Sequence, residues 1–111
     1  MDTKELHKKI ELVSVFLPRE KELNGRTLLD RARNQKLTMT KKQFQKLVES
    51  IEHFPKEWED FVKVCVGIKM KTGDELDGVA CFIQRDGRCY LRSEWINGPF
   101  PKNTRVMKFK K

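Results

Sequence analysis

The stretch VKVCVGIKMK, residues 62–71, decides how this chain reads. Val62, Val64, Val66, Ile68 and Met70 alternate with Lys63, Cys65, Gly67, Lys69 and Lys71. That period of two predicts a strand with one dry face and one mixed face. Thr72, Gly73 and Asp74 then offer a turn, and the run Val79 to Gln84 comes back. Asp86-Gly87 is a two-residue hairpin signal, after which Cys89 to Leu91 returns once more. An antiparallel sheet of three strands is therefore the first expectation. After Leu91, Asn97-Gly98-Pro99 and Pro101 force a loop, and Thr104 to Phe109 supplies a last short strand.

Upstream of the strands the period changes. Thr40 with Gln43 reads as a capping box, and Phe44, Leu47, Val48, Ile51 and Phe54 share one helical face up to Pro55. Pro55 to Asp60 suits one more short turn, with Trp58 and Phe61 facing inward. Thr27 with Asp30 suggests the start of a short helix through Leu28, Leu29 and Ala32 to about Gln35, after Asn24-Gly25 has closed a turn over Arg19 to Leu23. Asp2 with Glu5 resembles a second capping box. Leu6, Ile10, Val13 and Leu17 then form a stripe that predicts a helix ending at Pro18. The same four-three spacing suits a short coiled-coil seam, so the chain is expected as a monomer or as a homodimer through this first helix.

These elements amount to an α+β fold. One domain spans residues 1–111, mainly helical over 1–61 and mainly β over 62–111, as the length of 111 residues suggests. Two to four N-terminal helices should pack on a C-terminal antiparallel sheet of three or four strands. Gly73 and Gly78, five apart after an alternating strand, resemble the first half of an Sm-like or SH3-like small barrel over Val62 to Leu91. That resemblance implies a sheet curled toward a partial barrel, with Tyr90, Trp95 and Phe100 as candidate stacking surfaces. The Asp86 turn comes later than in the Sm pattern, and Arg88, Cys89 and Tyr90 stand where its Asn belongs. No RNA-binding residue carries over from it.

Charge is distributed in blocks. The chain holds 24 Lys and Arg against 16 Asp and Glu, a net +8. Arg26 to Lys46 has seven basic residues and one acidic, Leu47 to Phe61 one basic and five acidic, and Val62 to Lys111 eleven basic and five acidic. Two basic blocks attract polyanions. No apolar run approaches the roughly 20 residues that cross a bilayer. The charged opening, Met1 to Ile10, has no signal-peptide apolar block, so the three cysteines are expected as reduced thiols in a cytoplasmic protein.

Catalytic chemistry finds no motif. His7 and His53 sit in no recognised catalytic pattern, and there is no nucleophile elbow or phosphate loop. A two-residue turn pairs Gln84 with Cys89 and Cys81 with Arg92, so Cys81 and Cys89 are not opposed. No Cys or His set has zinc spacing, and Glu57, Glu59 and Asp60 read as a solvated helix face. We expect no cofactor, no metal and no enzymatic activity.

A non-enzymatic nucleic-acid-binding or regulatory protein is the leading expectation. The helices at about Thr27 to Gln35 and Thr40 to His53 are spaced like a helix-turn-helix unit. Lys41, Lys42, Gln45 and Lys46 would face outward on the second, and Arg85, Arg88 and Arg92 would form a basic wing. Lys102, Arg105 and Lys108 in the basic tail add phosphate contacts. The partner is then DNA or RNA. The alternative is a protein-binding inhibitor or adaptor, of the compact kind mobile elements encode, acting on a larger nucleic-acid-processing enzyme through an acidic protein surface. The acidic block at Glu49 to Asp60 favours that alternative, since a pure polyanion binder does not need it.

Overall fold

The computed structural model describes residues 3–71 and 77–110. Helices lie on both faces of a mixed five-stranded sheet. In chain order the elements are α1 (Thr3–Lys8), β1 (Ile10–Val13), β2 (Glu22–Asn24), α2 (Gly25–Asn34), α3 (Lys41–Glu49), two single 3-10 turns (Ile51–His53 and Lys56–Trp58), β3 (Val62–Lys71), β4 (Asp77–Arg85), β5 (Arg88–Trp95), β6 (Pro99–Pro101) and β7 (Thr104–Phe109). The main sheet runs β1-β7-β3-β4-β5, and β2 pairs with β6 in a separate ribbon. All neighbours are antiparallel except β3 and β7, which are parallel.

The α+β class holds, with a larger and mixed sheet in place of three or four antiparallel strands. The sheet is open, with β1 and β5 at its edges, so no barrel closes. Gly73, on which the barrel resemblance leaned, and the turn at 72–74 lie outside the described residues, as does Asp2. The hairpin behaves as its sequence requires. Asp86 and Gly87 adopt φ of 52° and 78°, a type I′ turn, and Gln84 faces Cys89 while Cys81 faces Arg92.

Alternation along β3 feeds two cores. Val64 and Val66 point to one face, where Leu28, Leu29 and Ala32 of α2 close over them with Val79, Cys81 and Val106. Cys65 points to the other, where Leu47 of α3, Phe54, Trp58, Phe82 and Met107 gather. Both faces are dry, because both are covered. At the end of β3 the register slips: Cys65 faces Ala80, but Lys69 already faces Val79. Val66, Gly67 and Ile68 bulge between them, and Ile68 and Met70 consequently join the second core rather than the Val64 face. Gly67 sits at φ 101°, and a Cβ there would come to 2.9 Å from the Met39 carbonyl oxygen. Only glycine suits both conditions.

The N-terminal third departs most from expectation. The stripe Leu6, Ile10, Val13 and Leu17 is divided among α1, β1 and an exposed loop. Ile10 and Val13 pair with Phe109 and Val106 on the outer edge of β7. A strand edge rewards β-branched residues there more than a helix does. The coiled-coil seam has no helical face to lie on. Leu23, expected in a helical turn, is the centre of β2 opposite Phe100. Asn24-Gly25 opens α2 instead of closing a turn. The Asn24 side chain accepts from the Arg26 N–H at 2.9 Å and donates to the Asn97 carbonyl at 2.9 Å. Gly25 leaves no room for a Cβ against the Ile96 carbonyl. The cap expected at Thr27 has therefore moved three residues upstream, to the side chain that also ties the helix to the loop after β5.

Candidate nucleic-acid interface

The expected helix-turn-helix unit is absent. α2 and α3 lie in different layers, one on each face of the sheet, because their apolar stripes match different cores. The connection between them passes from face to face. Leu37 is buried in the first core and Met39 in the second, and the Met39 N–H donates to the Val66 carbonyl at 2.9 Å. Pairing of β3 with β7 runs from Val62 to Val64, which leaves the Val66 carbonyl open to this connection. A recognition helix needs a supporting helix beside it, and here a sheet intervenes.

α3 itself is built as its sequence dictates. Thr40 caps it, its Oγ1 accepting from the Gln43 N–H at 3.2 Å while the Gln43 side chain accepts from the Thr40 N–H at 2.9 Å. Leu47 is fully buried, and Lys41, Lys42, Gln45 and Lys46 are all exposed. This face also carries exposed Glu49, and exposed Glu52, Glu57 and Asp60 follow in the next turns of the chain.

The arginines of the hairpin stand elsewhere. Register places Arg85, Arg88, Tyr90, Arg92 and Glu94 on the face that also carries Val79 and Cys81, the α2 side. α2 covers Val79 and Cys81 and stops short of the turn. Arg85, Arg88 and Arg92 are exposed, and Tyr90 between them is 47% exposed. Among the described residues none of these arginines makes an ion pair. The α3 lysines and the hairpin arginines thus project from opposite layers and form two separate surfaces.

The tail divides as well. Lys102 is exposed in the turn before β7. Arg105 is half-buried: its guanidinium lies 4.7 Å from the centre of the Phe61 ring and donates to the Lys102 and Thr104 carbonyls, both at 3.0 Å. It braces the fold. Lys108, half-buried, lies on the Thr104 and Val106 side of β7, opposite to Arg105. Strand alternation separates residues that the sequence shows as one basic run. Of the two remaining stacking candidates, Trp95 is exposed but on the α3 side, and Phe100 is buried.

Several titratable groups are buried inside the molecule. Lys63 is fully buried, and its Nζ donates to the Trp58 carbonyl at 2.8 Å and to the Phe61 carbonyl at 2.7 Å. Burial lowers its pKa to about 8, with Cys89 and Glu59 opposing the shift. His7 is buried against Phe54 and Trp58, at ring distances of 5.4 and 5.1 Å. Burial and then the neighbouring His53 lower its pKa. Its Nε2 lies 3.0 Å from Ser50 Oγ, whose own hydroxyl donates to the Leu47 carbonyl at 3.2 Å. Nε2–H is therefore the donor to Ser50, which is the reverse of what an activated serine requires. Burial pushes the thiols of Cys65 and Cys81 upward and that of Cys89 to about 11, so all three stay protonated. Among the described residues no group of His, Cys, Asp and Glu is placed to hold a metal ion. No helix among them is long and apolar enough to cross a membrane.

A cleft of about 480 Å³ between α2 and the ends of β3 and β4 escaped the sequence reading. Leu29, Gly67, Gly78 and Val79 line it, together with Arg26, Asp30 and Arg33 of α2. The three α2 residues recur at helical spacing, and the cleft lies beside the bulge in β3. Set against known proteins, the chain matches no family model, no curated protein and no solved structure.

Proposed function

We propose that the chain is a non-enzymatic, cytoplasmic nucleic-acid-binding protein whose contact surface is the open face of the β4–β5 hairpin. One observation carries this reading: Arg85, Arg88 and Arg92 surround an exposed Tyr90 on the α2 side of the sheet, in the part next to the hairpin turn that α2 leaves open. Guanidinium groups bind phosphate in a fixed fork, and a tyrosine ring gives an unpaired base a surface to stack on. A flat platform of this kind suits a single strand better than a duplex, whose bases are already stacked.

The test is a fluorescence-anisotropy titration with labelled single-stranded and duplex oligonucleotides at low salt, repeated as salt rises. Single-stranded binding should weaken with a log–log slope of about −0.7 for each phosphate contacted. Tyr90→Ala should weaken it by about tenfold, the loss of one stacked base. Replacing Lys41, Lys42 and Lys46 with alanine should leave it within about twofold. Absence of binding at low salt, indifference to salt, or loss through the α3 lysines instead of the hairpin would each overturn the proposal.

A second reading rests on the opposite layer. There exposed Lys41, Lys42 and Lys46 lie in the same stretch as exposed Glu49, Glu52, Glu57 and Asp60. Mixed charge repels part of a polyanion and suits a protein, which favours an inhibitor or adaptor of a larger nucleic-acid-processing enzyme. A stoichiometric protein partner retained on the tagged chain after nuclease digestion supports that reading, and an empty lane removes it.

A further inference from the structure

We infer that the outer edge of β5 pairs with the same edge of a second copy of this chain, in antiparallel register about Leu91. β5 is an edge strand of eight residues, Arg88–Trp95. Its free polar groups follow from the turn. In a two-residue type I′ hairpin the flanking residues, here Arg85 and Arg88, exchange hydrogen bonds, and every second pair after them does the same. Arg88, Tyr90, Arg92 and Glu94 therefore spend their backbone groups on β4. Cys89, Leu91, Ser93 and Trp95 turn theirs outward, and the Trp95 carbonyl is taken by the Gly98 N–H at 3.1 Å. Among the described residues Cys89, Leu91 and Ser93 are left with an unpaired edge, which is a template for another strand.

The side chains select the partner and the register. A twofold axis through Leu91 sets Leu91 beside its own copy and Cys89 beside Ser93, so the hydrogen-bonding positions are the three with free groups. On the α2 side the same axis puts Arg88 opposite Glu94 and Tyr90 opposite Arg92. Across the axis Arg88 and Glu94 then pair opposite charges, and Arg92 faces an aromatic ring. Moving the axis by one residue destroys this. Centred on Tyr90, Arg88 meets Arg92; centred on Arg92, that arginine meets itself. Like charges directly opposite on paired strands are destabilising. The edge is self-complementary in one register and self-repelling in its neighbours. Charge on an edge strand normally keeps copies apart, and here its order along the strand favours the arrangement about Leu91 over the two adjacent ones. Because the axis is perpendicular to the sheet, the two hairpin faces would lie side by side.

Sedimentation equilibrium of the full chain, free of nucleic acid, tests the inference independently of the proposed function. The wild-type protein should show a concentration-dependent mass reaching that of a dimer. Arg88→Glu sets two carboxylates together at both symmetry-related pairs and should weaken the dimer by at least about tenfold. The double variant Arg88→Glu/Glu94→Arg should restore it. A monomer at every concentration, a dimer unaffected by Arg88→Glu, or a double variant no better than the single one would overturn the assignment, and the last would point to an extended peptide of another protein as the occupant of the edge.

Discussion

The two faces of the central sheet are built from one alternating strand and solved differently. On the α2 face the packing is mainly aliphatic: Val64, Val66, Leu28, Leu29 and Val106 meet, with Phe100 buried among the same cluster. On the α3 face Phe82, Phe54 and Trp58 stack edge to face, and Lys63, His7 and Ser50 are buried at their margin. Aromatic rings enclose large irregular spaces that short single-turn helices leave open. Main-chain carbonyls here also take side-chain donors: Lys63 reaches those of Trp58 and Phe61, and Ser50 that of Leu47. The α2 face relies on shape, whereas on the α3 face Lys63, His7 and Ser50 each have a hydrogen-bond partner.

The sharpest way to break this contrast is through volume. Phe82→Ala should destabilise the fold by about 3–5 kcal/mol in chemical denaturation, and Leu28→Ala on the other face by about 2–5 kcal/mol. If aromatic packing is the more demanding, the Phe82 variant loses more, since two ring contacts depend on it, with Phe44 at 5.9 Å and Phe54 at 5.0 Å.

Lys63 separates the faces by pH. Its folded pKa lies below that of the unfolded chain, near 8 against 10.5. Above pH 8 the unfolded state therefore holds more protons, and stability rises as pH increases from about 8 to 10.5. The gain approaches about 3 kcal/mol. Buried thiols with raised pKa values act in the opposite sense above pH 9, so the comparison is between wild type and Lys63→Met. The difference in unfolding free energy between them should grow in favour of wild type across that window. A constant difference would mean that Lys63 does not change charge on folding.

His7 gives a smaller effect at the acid side. Its depressed pKa means the unfolded state takes up a proton first as pH falls below 6.5, so stability declines from there. Ser50→Ala leaves a buried N–H without an acceptor and should cost about 1–3 kcal/mol at neutral pH. Thermal scans in matched buffers from pH 7 to pH 5 follow both. The smallest expected change is Thr40→Ala, which removes one side of the capping box of α3 for about 1 kcal/mol. No such variant on α2 tests its cap cleanly, since Asn24 also holds the loop at Asn97.

What was legible follows the same division. α3 was readable down to its capping box because Thr40 and Gln43 act within one turn of the chain. The β4–β5 hairpin was readable to its register because a two-residue turn leaves no freedom in pairing. β1 was not, because Ile10 and Val13 satisfy a helical stripe equally well, and only the waiting edge of β7 decides between them. The start of α2 moved because Asn24 found a second partner seventy-three residues away. Lys63 read as the polar side of a strand, and no local signal marks a lysine that will be enclosed by a second layer.

The candidate surface shows the limit most directly. That Arg85, Arg88 and Arg92 share a face with Tyr90 was contained in the chain, as a consequence of alternation around Asp86-Gly87. Whether that face joins the lysines of α3 was not. By itself the order of residues determined the local periods, the α3 cap and the hairpin turn, all set by forces acting over a few bonds. Only the tertiary structure decided that α2 and α3 take opposite sides of the sheet. The choice turns on Leu37 and Met39 entering different cores as the chain crosses beside Gly67, and burial of that kind exists only once all the layers have assembled.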